Sequence, residues 1–183
     1  MEAPAALEPL TRGVRLETLR LPGSSRQVLN AFAARRPSRT FALFHGPGRS
    51  GKALVAEALA HHLGLPAYRV DLGRIVSTYI GETEKNLAAV FAAAGAGGAL
   101  LLFDEGDALL GPRTGVREAH DRYAHAGIDH LLRQIEAWDG LAILTASAVR
   151  EVAPEVVRRA AAIVGIPRTP APVAPARGPQ ALP

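Results

Sequence analysis

One stretch limits what this chain can fold into more than any other: Phe41-Ala-Leu-Phe-His-Gly-Pro-Gly-Arg-Ser-Gly-Lys52. An apolar run breaks into glycines there and ends on a single lysine where a helical pattern begins. Gly46, Pro47, Gly48, Arg49, Ser50, Gly51 and Lys52 fit G-x-x-x-x-G-K. Glycines let successive backbone N–H groups turn inward around an anion. The lysine adds a point charge, and the helix start adds its positive dipole end. The β and γ phosphates of a nucleotide match that cradle, and it demands a strand before it and a helix after it.

Composition narrows the setting. The chain has 183 residues, 48% of them apolar, enough for one α/β domain with its own core but not for a second lobe. It has no cysteine, which removes disulfides, thiolate catalysis and Cys-ligated zinc. It also lacks a long apolar run or a signal-like start, so the expected setting is soluble and cytoplasmic, with no membrane partner. The formal charge is +4 and the pI about 10.1. Yet the basic residues, all arginine except Lys52 and Lys85, are scattered among acids without interleaved aromatics, which argues against a nucleic-acid partner.

Hydrophobic period and punctuation predict a five-stranded parallel sheet flanked by helices on both faces. The expected strands are Phe41–Phe44, Tyr68–Leu72, Ala99–Phe103, Leu141–Thr145 and Ile163–Ile166. Helices are expected from Gly51 to Leu63, Glu82 to Ala94, Ile128 to Trp138 and Pro154 to Ala161, with a lead-in helix starting at Ser24 or Ser25. Residues 1–24 read as a flexible arm to about Pro9 followed by an extended lead-in over 14–21, residues 25–167 as the domain, and residues 168–183 as a Pro/Ala-rich disordered tail. Trp138 and Phe91 read as core residues. His120, His125 and His130, five apart, do not stack as a metal site would, and no motif explains Arg69 or Arg74.

Ala99-Leu-Leu-Leu-Phe103 is apolar on both strand faces, and Asp104-Glu105 follow at its carboxyl end, where open α/β sheets bind ligands. Beside a phosphate loop, Asp104 can hold Mg²⁺ directly or through water, and Glu105 can orient and deprotonate the water attacking the γ phosphate.

With Gly46–Lys52 and Leu101-Leu-Phe-Asp-Glu-Gly-Asp-Ala-Leu109 together, the chain resembles the AAA family of P-loop ATPases, in particular a bacterial branch, from about Val14 to Pro167. The resemblance implies ATP and Mg²⁺ as ligands. It implies that Tyr79, Ile80 and Gly81 form a pore loop gripping a threaded protein substrate. It places Ser147 at the end of a sensor strand and makes Arg158 and Arg159 arginine fingers that complete a neighbour's site in a homo- or hetero-oligomeric, hexameric ring. The chain departs from the family pattern at Ala53, where a hydroxyl would reach the metal, at Ser147 for asparagine, at Ala153 and Ala160, and where a helical lid would begin. Expected function is therefore ATP hydrolysis driving remodelling of a protein substrate. The alternative is a hydrolysis-deficient, nucleotide-binding regulatory subunit. Small-molecule kinases, two-lobed helicases and GTPases each need an acceptor lid, a second lobe or a guanine-reading motif that these residues do not supply.

Overall fold

The computed structural model describes residues 7–11, 13–75, 79, 81–95, 98–104, 106, 110 and 119–168, with the backbone alone at 73 and 119–126. Its strands are β1 (Leu7–Pro9), β2 (Thr40–His45), β3 (Ala67–Asp71), β4 (Leu100–Asp104), β5 (Leu141–Ala146) and β6 (Ala162–Gly165). They form one sheet in the order β1-β3-β4-β5-β2-β6. The five expected strands are there and mutually parallel. The sheet is mixed because β1 adds an antiparallel edge, pairing Leu7 with Val70 and Pro9 with Tyr68.

The structure departs from both expectations for the first 24 residues where it describes them. Leu7–Pro9 is a strand rather than part of a free arm, and an edge is the place in a sheet where a proline's missing donor is tolerated. The extended lead-in over 14–21 is interrupted by a 3₁₀ turn at Leu16–Thr18. Leu16 turns inward and is buried, and the turn closes with Thr18 donating its backbone N–H and its hydroxyl to the carbonyl of Arg15.

Period-two alternation in the strands builds a core on each face. Phe41, Leu43, Val70, Leu101, Phe103 and Leu144 point one way. Ala42, Phe44, Leu100, Leu102, Ile143 and Val164 point the other. Helices α1 (Gly23–Ala34) and α2 (Lys52–Leu63) cover the second face, while α3 (Glu82–Ala94), α4 (Ala119–Ala137) and α5 (Pro154–Arg159) cover the first. Leu100 to Phe103 are completely buried, which is why β4 needs an uninterrupted apolar sequence. Truncating one of these leucines to alanine would cost roughly 2–5 kcal/mol.

Helix α4 starts well before the expected Ile128, and the apolar stripe that made the helix legible occupies only its buried second half: Ile128, Leu131, Leu132 and Ile135. Trp138 follows it as a core residue. Its ring meets Phe91 edge-on at 5.5 Å between centroids, and its Nε1–H donates to the Gly95 carbonyl at 2.9 Å. One indole thereby fastens the end of α3 to the end of α4.

Candidate nucleotide site

The site lies at the carboxyl ends of β2, β4 and β5. After His45 the chain turns through Gly46 to Gly51 and enters α2 at Lys52. Gly51 caps the helix in the left-handed region at φ 86°, which an L side chain adopts only at a cost. Gly46 is required by space. Its N–H donates to the Ala146 carbonyl at 3.2 Å, and a Cβ there would lie 1.9 Å from the Ile166 carbonyl oxygen. The loop is thus wedged between β5 and the chain leaving β6, whose Ile166 N–H donates to the His45 carbonyl at 2.7 Å. The Ser25 hydroxyl donates to the Gly165 carbonyl at 2.6 Å, fixing that strand end to α1 as well.

A cleft of about 340 Å³ is lined by Gly48 through Ala53, Asp104, Thr145 and Ser147. The structure therefore brings together most of the residues that the sequence nominated for phosphate and metal binding, with Gly46 and Pro47 in the loop just behind. A larger hollow of about 470 Å³ sits at the opposite, amino-terminal end of the strands, among Arg36, Ser38, Leu63 and Asp139. The smaller cleft is the better anion site, because it has a glycine loop, a helix amino terminus and an ammonium, while its carboxylate suits a cation that accompanies the anion.

Lys52 Nζ donates to the carbonyls of Gly46 at 2.6 Å and Pro47 at 3.3 Å, so the ammonium is folded over its own loop. Asp104 is held on two sides. The Thr145 hydroxyl donates to Oδ1 at 2.7 Å, and Arg69 Nη2 lies 3.1 Å from Oδ2. The Asp104 side chain is only 15% exposed, so these charge-assisted contacts act in a partly desolvated setting. His45 has its pKa lowered by burial first and by the neighbouring Lys52 ammonium second.

Thr145 and Arg69 are the parts of this cluster to which the sequence assigned no role. Thr145 carried a signal, being the single polar residue in the otherwise apolar and fully buried run Leu141–Ala146. Arg69 carried none, since its partner lies across the β3–β4 ladder.

Of the other nominated residues, Tyr79, Gly81, Arg158 and Arg159 can be placed. Tyr79 is 72% exposed, and Gly81 caps α3 at φ 80°. Ile80 and Glu105 lie outside the described residues. Arg158 and Arg159 end α5, and Arg159 is tied to α4 by Nε and Nη2 contacts to Glu136 Oε1 at 3.1 and 2.6 Å.

Comparison with known proteins gives a consistent family. Residues 42–168 match the model of the ATPase family associated with various cellular activities (AAA). The chain is 47% identical over 75 residues to the uncharacterized AAA family ATPase y4kL of Sinorhizobium fredii, covering 41% of this chain and 23% of that protein. It is 35% identical over 99 residues to the peroxisomal ATPase PEX6 of Homo sapiens, covering 54% of this chain and 10% of that one. PEX6 of Eremothecium gossypii is 29% identical over 143 residues, covering 75% of this chain and 14% of its own length. The chain therefore spans less than a quarter of the length of each of these relatives. With the family model covering most of its length, and the glycine loop, the strand-end aspartate and the mostly parallel sheet all in place, the chain belongs to the AAA family of ATPases.

Proposed function

We propose that this chain binds ATP in the cleft at Gly46–Ala53 and hydrolyses it with Mg²⁺ to drive remodelling or threading of a protein substrate within a ring of subunits. The observation that carries the reading is the convergence of Gly48–Ala53, Asp104, Thr145 and Ser147 on one cleft at the carboxyl ends of three strands. In this reading Lys52 leaves the carbonyls of Gly46 and Pro47 and turns its ammonium to the β and γ phosphates. Glu105 orients water and takes its proton, and the Ser147 hydroxyl hydrogen-bonds beside the γ phosphate. Arg158 reaches the neighbouring subunit's nucleotide, and Tyr79, Ile80 and Gly81 meet the protein substrate.

Among the described residues lining the cleft, the carboxylate that fits a divalent metal is Asp104, and the side chain at position 53, an alanine, offers no oxygen. Mg²⁺ entering with ATP would be held on Asp104 and would neutralise charge on the phosphates. That sparse donor set favours a second reading, a subunit that binds nucleotide, hydrolyses it slowly or not at all, and shapes the assembly.

Phosphate release from Mg-ATP by the purified chain, alongside calorimetric ATP binding, tests these readings. Under the first, Glu105→Gln abolishes release and keeps binding, while Lys52→Ala loses binding. Equal release by Glu105→Gln removes Glu105 as the base. A large gain on Ala53→Thr favours the second reading, and no heat with ATP or ADP overturns both.

A further inference from the structure

Arg69 stands on the same sheet face as Asp104. The β3–β4 register pairs Arg69 with Leu102 and Asp71 with Asp104, so these four side chains share the face covered by α2. Glu8 lies opposite Arg69 on β1, which places the guanidinium position between two acidic ones. Asp71 has a guanidinium of its own, Arg74, at 3.3 Å. Arg69 meets Asp104 Oδ2 at 3.1 Å, on the far side of the carboxylate from the Thr145 hydroxyl.

We propose that Arg69 is a built-in cation for Asp104, sharing that carboxylate with the metal that accompanies ATP, so that nucleotide is held here with little dependence on a divalent ion. The inference rests on the reading of the cleft as an ATP site. Three observations carry it. A strand-end aspartate that serves a metal offers it carboxylate lone pairs, and here each oxygen already gives one to a protein donor. The guanidinium brings a permanent positive charge to a carboxylate that is mostly removed from water, where it offsets part of what a metal would otherwise neutralise. Position 53 adds no ligand to draw the metal in. An incoming cation therefore meets a carboxylate already neutralised by Arg69, and its gain on binding is correspondingly smaller.

The bland alternative is that Arg69 only ties β3 to β4, and binding measured with and without metal separates the two. A fluorescent ATP analogue is titrated by anisotropy into the full chain in excess Mg²⁺ and in excess EDTA, for wild type, Arg69→Gln, Arg69→Met and Lys52→Ala. The quantity read is the ratio of Kd in EDTA to Kd in Mg²⁺. The expected result is a ratio at least about fivefold larger in Arg69→Gln than in wild type, the size expected for loss of one charge-assisted contact. Arg69→Met, which keeps the aliphatic stem, gives the same result should the glutamine variant fold poorly. Ratios equal to wild type in the folded variants, with or without a lower melting temperature, overturn the proposal and leave Arg69 a strand tie. A wild-type chain that binds the analogue no better than Lys52→Ala in either condition overturns the ATP reading itself.

Discussion

Arg49 holds a backbone conformation that its side chain opposes. It sits in the phosphate loop at φ 61°, where the Cβ of an L residue crowds the following carbonyl. Glycine there removes the strain and returns part of the gain as unfolded-chain entropy. Arg49→Gly is therefore expected to stabilise the nucleotide-free protein by up to about 1 kcal/mol, or raise its melting midpoint by about 2–4 °C. An unchanged or lower midpoint would show that the arginine head group offsets the strain. His45 makes a pH-dependent contribution of definite sign. Its pKa is lowered from 6.5 by burial and then by Lys52, so below the unfolded value the unfolded chain takes up a proton that the folded chain resists. Stability from this residue is complete above that value and is lost as pH falls through it. Wild-type melting temperature should fall between about pH 7.5 and 5.5 more steeply than that of His45→Gln, and equal slopes would exclude the ring as the cause.

Short helix α5 sets two adjacent arginines in different surroundings. Arg159 is bound to Glu136 on α4, whereas Arg158 is exposed and makes no ion pair among the described residues. Arg158→Ala should cut turnover of the assembled protein by about 10³-fold or more if it serves as the finger. Arg159→Ala should mainly lower stability, by about 0.2–1 kcal/mol for so exposed a pair. Steady-state rates and melting of the two variants check this, and the reverse pattern would exchange the roles. Elements with a strong local signal were legible in sequence: β4 from its apolar run, α3 and α2 from their spacing and bounding glycines, and the turn between β2 and α2 from its own glycines. Pairings across the sheet were not. Leu7-Glu-Pro9 looks like loose chain until β3 is beside it, and Arg69 looks like surface charge until the register sets it against Asp104. Leu16 turned inward because burial outweighed the extended preference of its alternating neighbours.

The whole molecule has three layers, with a sheet between α1 and α2 on one side and α3, α4 and α5 on the other. Tyr79 and the α5 arginines remain outside its core. If neighbouring copies complete the site, the mass in solution should rise severalfold with a non-hydrolysable ATP analogue and return to that of one copy without it. Light scattering reads this directly, and an unchanged mass would confine the chemistry to a lone subunit. The fold also gives the loop a mechanical linkage. Ile166 presses its carbonyl against Gly46 with no room for even a methyl group between them, and its N–H is anchored on His45. Tension on the polypeptide leaving the sheet would therefore reach the glycine loop through these main-chain contacts, with the Ser25 hydroxyl on Gly165 sharing the load.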